Sequence, residues 1–194
     1  MLIVCADEAQ VECELVVGEL SCPSCRGVLG PWGHARARVL RCAAGERVLR
    51  PRRARCRECA GTHVLLADIA LLRRRDEVAV IGDAVEAKVA GQGHRPIAAR
   101  LGVPKDTVRG WLRRFAADSE AIRAYFTRWA VALDAELGAM LPAGSGVADA
   151  LEAIAVAVRA WVLRFGPGLL WSLVSALSAG VLLCNTSCPF PPVR

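Results

Sequence analysis

The spacing of apolar residues along this chain changes several times, and the changes predict its elements. Residues 1–4, Met-Leu-Ile-Val, make a short apolar run that fits a strand. In the next stretch, 7–20, Ala9, Cys13, Val16 and Val17 recur at helical spacing behind the acids Asp7 and Glu8, whose charge suits a helix N-terminus. Residues 21–63 lose that period. They are rich in Cys, Gly and Arg and hold only short β-compatible runs, 37–42 and 46–56, the second interrupted by Pro51, which forces an edge or a break. From 76 to 117 the period returns to 3.6 and predicts three helices. Beyond them the pattern predicts helices over about 118–140 and about 147–165, parted by a Leu-Pro-Ala-Gly-Ser-Gly break, and a last apolar helix ending near 183. The tail from Cys184 carries no helical pattern, and the chain shows no internal repeat.

Within 76–117 the two sides of each predicted helix separate cleanly. Val78, Ile81, Val85 and Val89 make one stripe of a supporting helix. Ile97, Ala98 and Leu101 face inward from the second, and the small Ala98 lets the third approach closely. Gly102 supplies the positive φ that a tight helix–helix turn requires, and Val103 fills the corner. Val108, Trp111, Leu112 and Phe115 lie at i, i+3, i+4 and i+7, a buried stripe. Lys105, Asp106, Arg109, Gly110 and Arg113 are left facing outward. Such a narrow cationic face at the start of a helix is what meets base edges in a DNA major groove. Arg109 suits a bidentate pair with guanine, and Lys105, Thr107 and Arg95 suit phosphates. An ordinary helical hairpin with solvated charges has the same spacing, so spacing alone does not decide the matter.

Charge sharpens this picture. The 194 residues are 54% hydrophobic, enough for packed cores and against general disorder, and the net charge is +6. Residues 1–25 carry five acids and no base, whereas 26–75 carry thirteen Arg against three acids. Residues 76–115 are mildly basic and the rest is close to neutral. A basic block beside a near-neutral half points to a polyanionic partner for the first part only. Arg outnumbers Lys twenty-three to two, which codon bias also explains.

Nine cysteines is an odd number, and the start lacks the basic region and long apolar core of a secretory signal. A reducing cytoplasmic setting is therefore expected, where paired Cys indicate metal more than disulfides. Cys22-Pro-Ser-Cys25 and Cys56-Arg-Glu-Cys59 are two CxxC turns. Each aims two sulfurs at one ion, and together they supply four tetrahedral ligands at about 2.3 Å from a structural Zn²⁺. The thirty residues between them accommodate a β-hairpin and a third strand, the layout of a zinc ribbon. A closed four-sulfur site holds a fold and leaves no position for a reacting water. Cys42 and His63 are near enough in sequence to replace one thiolate, a choice the spacing leaves open. Cys5 and Cys13 are expected in the packing of the first strand and helix, and Cys184 and Cys188 outside any metal site.

The last third is apolar. Ile122, Tyr125, Phe126, Trp129, Leu133 and Leu137 form one broad face, and Val147, Leu151, Ile154, Val158, Trp161, Val162 and Phe165 another. These helices fit self-association, and DNA readers of this kind often act as dimers, so a homodimer is a candidate state. Residues 166–184 carry no charge and are just long enough to span a bilayer. Three Gly, a Pro and three Ser dilute that run and its far flank lacks an anchor, so a buried helix explains it with fewer assumptions than a membrane span.

Residues 97–111 resemble the helix-turn-helix of the homeodomain-like and transposase class, with Ala98 at the close-packing position, Gly102 at the turn and Val103, Val108 and Trp111 at the apolar ones. The preceding Cys-, Arg- and His-bearing segment resembles the N-terminal zinc ribbon of insertion-sequence transposases. The same order is similar to a family of uncharacterised actinobacterial helix-turn-helix proteins that lack the nuclease. The resemblance spans about residues 20–117. It departs from the transposases afterwards, because only seventy-nine residues follow Phe115 and they read as helices, without three metal-binding carboxylates on a sheet. No phosphate-binding Gly loop, no Ser/His/Asp or Cys/His arrangement and no small-molecule site is evident, so no enzymatic activity is expected.

The expected fold is mainly α with a small β zinc ribbon near the N-terminus, then a three-helix homeodomain-like helix-turn-helix and C-terminal helices. The expected sections are a strand and helix over 1–20, a ribbon and basic linker over 21–75, the helix-turn-helix over 76–117 and a helical region over 118–194. The expected function is sequence-specific binding of double-stranded DNA, in transposition or transcriptional regulation. Its DNA contacts would be Arg95, Lys105, Asp106, Thr107, Arg109, Gly110 and Arg113, and its zinc ligands Cys22, Cys25, Cys56 and Cys59. The competing expectation is a zinc-ribbon interaction module without DNA contact, or one tethered to a membrane through 166–184.

Overall fold

The computed structural model describes residues 1–184 and 190. Strand β1 (Leu2–Val4) and helix α1 (Glu8–Val17) open the chain. Five strands follow: β2 (Leu29–His34), β3 (Arg38–Cys42), β4 (Gly45–Leu49), β5 (Arg52–Cys56) and β6 (Thr62–Ala67). Then come the helices α2 (Val78–Val89), α3 (His94–Leu101), α4 (Lys105–Ala117), α5 (Ser119–Leu133), α6 (Gly146–Phe165) and α7 (Leu170–Leu177). The chain is thus mainly helical, with a small mixed sheet near its N-terminus.

That sheet has the order β1-β6-β5-β2, with β1 parallel to β6 and the other pairs antiparallel. Pro51 falls between β4 and β5, where its missing N–H interrupts no ladder. The β3–β4 hairpin forms a separate two-stranded sheet. Helix α1 starts where the Asp7 carboxylate accepts N–H bonds from Ala9 and Gln10, and it ends at Gly18, whose φ of +80° is left-handed. It packs Val11 and Leu15 onto Leu29, Ala54 and Leu65. This is not the face that periodicity selects: Val16, Val17, Cys13 and Cys5 are all exposed. The sequence holds two apolar stripes on this helix, and only the narrow one that includes Leu15 meets the sheet.

Helices α2 to α7 share one core. Val78, Ile81 and Val85 of α2 meet Ile97 of α3, Val108, Trp111 and Phe115 of α4, and Ile122, Tyr125 and Phe126 of α5. Val89, at the end of the predicted stripe, is 40% exposed. Helix α5 stops at Leu133, short of 140, where Asp134 turns extended and its carboxylate accepts the N–H of Glu136. Helix α7 is shorter than its apolar run, because Ala179 and Gly180 both take positive φ and turn the chain. Its Trp171, Val174 and Leu177 enter the core, and the buried hydroxyls of Ser175 and Ser178 donate to the carbonyls of Ala70 and Val174. Much of the uncharged segment from Trp171 to Leu183 is therefore packed against the core, whereas Pro167, Gly168 and Leu169 before it are exposed. No helix among the described residues is long and apolar enough to cross a membrane. Cys188 and most of the tail lie outside the described residues.

Sheet and helices are stitched together at the start of α2. Arg41 of β3 reaches the buried Asp76 at 2.7 Å, its carbonyl accepts the Glu77 N–H, and its own N–H donates to the Arg75 carbonyl. The Ile69 carbonyl accepts from Val78, and the Gly180 carbonyl accepts from Leu72.

Candidate metal centre and nucleic-acid interface

Two backbone turns of the same construction build the cysteine cluster. In the first, the Cys22 N–H donates to the Gly27 carbonyl and the Arg26 N–H to the Cys22 carbonyl, with Arg26 left-handed at φ +65°. In the second, the Cys56 N–H donates to the Gly61 carbonyl and Ala60 is left-handed at φ +58°. Both turns read Cys-x-x-Cys-x-Gly. Pairing of Leu29 with Cys56 across β2 and β5, and an Arg57 N–H bond to the Val28 carbonyl, hold the turns face to face.

The result is four sulfurs, from Cys22, Cys25, Cys56 and Cys59, all within 4.8 Å of one another. The Cys22–Cys59 and Cys25–Cys56 separations are 3.8 and 3.4 Å. A tetrahedron with metal–sulfur bonds of about 2.3 Å has sulfur–sulfur edges of about 3.8 Å, so these thiols fit one tetrahedral metal ion. Cys22 and Cys56 are buried, while Cys25 and Cys59 are exposed. Burial pushes the Cys22 thiol up, but N–H groups of Cys25 and Ser24 and the thiols of Cys25 and Cys59 outweigh it and bring it down to about 6 from 9.0. At Cys56 the Cys59 N–H acts downward, yet burial, the Cys25 thiol and the Glu58 carboxylate leave the group above its ordinary value.

Of the two residues that spacing left as competitors, His63 lies beside the cluster and Cys42 away from it. His63, on β6, is buried with Nε2 3.3 Å from the Cys22 sulfur and Nδ1 3.4 Å from the Met1 amino group, so it adjoins the four-sulfur group as a hydrogen-bonding neighbour. Cys42 packs with Leu40 and Leu66 in another cluster, and burial together with Glu77 raises its thiol. Sequence reasoning missed Glu58. Its carboxylate lies 3.2 Å from the Cys56 sulfur and folds across Gly27, where a Cβ would come within 1.6 Å of it. The glycine the two turns share marks space near the sulfurs at both, since a Cβ at Gly61 would come within 3.3 Å of the Cys59 sulfur, but the sequence carried no signal for Glu58 itself.

The cationic face stands on α4. Gly102 closes α3 at φ +63°, its N–H bonding back to Ala98 and Ala99, and Val103 is buried in the corner. Helix α4 then buries Val108, Trp111 and Phe115. Lys105, Asp106, Arg109, Gly110 and Arg113 are exposed, Thr107 is half-buried, and Arg95 is exposed in the first turn of α3. A Cβ at Gly110 would meet nothing within 4 Å, so that side of α4 is open. None of these charged side chains is in an ion pair among the described residues. Arg114 is different: it turns inward and donates to the Cys184 carbonyl at 3.1 Å. No family model, no curated protein and no solved structure matches this chain.

Proposed function

We propose that this chain binds double-stranded DNA through α4, as a regulator or a transposition-associated protein without catalytic machinery, and that the four cysteines hold a structural Zn²⁺. The observation that carries the DNA reading is the open row of Lys105, Arg109, Gly110 and Arg113, with Val108, Trp111 and Phe115 fixing the opposite side of the helix. A helix fixed on its far side by a buried stripe, with cations that are in no ion pair among the described residues and a glycine among them, fits a major groove. The left-handed turn at Gly102 and the close α3–α4 corner support a homeodomain-like helix-turn-helix.

Zinc is the metal that four thiolates in a tetrahedron suit best. Cys22, Cys25, Cys56 and Cys59 would hold it, and its role would be to fix the two turns relative to each other. A reducing, cytoplasmic setting keeps these thiols available. A homodimer is supported by exposed apolar residues near the end of α6, Leu163 at 82% and Phe165 at 58% exposure.

The test is titration of the metal-loaded protein into mixed-sequence duplex at two salt concentrations. Affinity should fall steeply with salt, and the double variant Arg109→Glu/Arg113→Glu should lose most of it while keeping its metal. Unchanged duplex affinity in that variant would end the assignment to α4. No duplex affinity in the parent would instead favour a protein-interaction module.

A further inference from the structure

The second face of the four-stranded sheet is covered only at its β1–β6 end, where Ile3 and Leu66 pack with Leu40 and Leu49 of the β3–β4 hairpin. At the β5–β2 end α1 covers one face and the other is open. Leu29, Ala54, Cys56 and Leu65 point towards α1. The strand alternation sends Arg53, Arg55 and Thr62 to the other face, where Gly30, Arg55 and Thr62 lie in one row across β2, β5 and β6. Trp32 belongs to this open side. It sits in the edge strand β2 where the register slips between Pro31 and His34, and Gly33 beside it has φ +79°. Such a bulge re-aims the intervening side chain. The indole is 48% exposed, and the Arg55 guanidinium lies over it at 4.7 Å. Trp32, Arg55, Arg57, Gly30 and Ala60 border an open hollow of about 450 Å³.

An exposed indole is a costly thing to hold at a solvent edge, and the groups around it define what would cover it. The neighbouring charges are cationic: Arg53, Arg55 and Arg57 are in no ion pair among the described residues, and Glu58 is turned against Cys56. The partner is therefore anionic and carries flat apolar rings. We infer that this face binds single-stranded DNA, stacking an unpaired base on Trp32 while Arg53, Arg55 and Arg57 take the adjoining phosphates. A base stacks on an indole whatever its sequence, and guanidinium groups beside the ring add phosphate and cation–π attraction. A duplex does not offer this, since its bases already stack on one another. The surface is separate from α4 and does not depend on how α4 acts.

The test uses the full metal-loaded chain and a labelled oligothymidylate of fifteen nucleotides, followed by fluorescence anisotropy. Three comparisons are informative: Trp32→Ala, Trp32→Phe, and an abasic oligomer of equal length. Trp32→Ala should weaken binding about tenfold and Trp32→Phe much less, while the abasic oligomer should bind the parent about tenfold more weakly and no longer distinguish it from Trp32→Ala. Arg109→Glu/Arg113→Glu should leave the oligomer affinity in place even if duplex binding is lost, which separates failure of this inference from failure of the α4 reading. Equal affinity of parent and Trp32→Ala, or of abasic and normal oligomers, would overturn the inference. Tighter binding of the RNA oligomer of matching sequence would overturn its assignment to DNA.

Discussion

The indole of Trp171 lies directly against the bare Cα of Gly82: a Cβ there would come within 1.9 Å of the ring. The indole N–H donates to Glu86 one turn further along α2, at 2.9 Å. This contact seats α7 on α2. Gly82 is mid-helix, so replacing it with Ala should help by about 1 kcal/mol through helix propensity alone. Displacing a buried indole should cost more, since overfilling a core costs about 1–3 kcal/mol and an approach of 1.9 Å to a rigid ring belongs at the upper end of that range. Gly82→Ala is expected to lower the urea midpoint, and the same change in a Trp171→Ala background to raise it. A stabilising Gly82→Ala in the parent would mean that α7 does not pack there.

The same contact explains what was legible in the sequence and what was not. The stripes Val78/Ile81/Val85 and Val108/Trp111/Phe115 were readable because each helix has one strongly apolar side and one charged side. The left-handed turn at Gly102 was readable because glycine reaches that φ without the steric cost other residues bear, whereas the left-handed Arg26 and Ala60 carry no such mark in the sequence. The fate of residues 166–184 was not, because a run without charges has no polar side to orient it. Its placement depends on Gly82, Ala70 and Tyr125, whose hydroxyl donates to the Leu177 carbonyl at 2.6 Å, and all are distant in sequence. Helix α1 failed for the opposite reason, having two apolar stripes and a single sheet face to meet. At the candidate metal centre the clustering of the four cysteines followed from spacing, whereas the neighbours Glu58 and His63 depend on the strand register that brings β2, β5 and β6 together.

The low pKa of Cys22 has a direct consequence for metal uptake. Its folded value of about 6 lies below the unfolded 9.0, so the thiolate stabilises the metal-free fold fully above 9.0, and that contribution is lost as pH falls through about 6. Above about 6 an incoming metal meets this sulfur already deprotonated; below it, the metal must also displace its proton. A plot of log affinity against pH should therefore steepen by one proton per metal as pH falls through about 6. Competition titrations with a chromogenic chelator across pH 5 to 8 measure that slope, and a constant slope would show that the thiol has its ordinary acidity.

His63 touches Cys22 without joining the four-sulfur group, so its removal should change affinity and not composition. His63→Ala is expected to retain one metal per chain and to weaken binding about 10- to 100-fold, the usual loss when a neighbour that supports a ligand is removed. His63→Gln, whose amide N–H can donate to the sulfur, should recover part of that loss. Cobalt substitution gives the independent readout, because sulfur-to-metal charge transfer scales with the number of thiolate ligands. A charge-transfer intensity that rises in His63→Ala would mean that the imidazole had displaced a cysteine.

Lys105 and Arg109 share the exposed side of α4 but differ in chemistry, and the difference is measurable in salt. A lysine serves a phosphate as a point charge, whereas the planar guanidinium matches the paired acceptors of guanine. Lys105→Ala should thus weaken duplex binding to a similar degree on every sequence and reduce the log–log salt slope by about 0.9, the value for one phosphate contact. Arg109→Ala should instead cost about 1–3 kcal/mol on a preferred site and much less on mixed sequence, narrowing the ratio between them. The measurement is anisotropy against a selected site and a scrambled duplex, each at several salt concentrations. If both variants lose the same amount on both duplexes, α4 grips the backbone and reads no base.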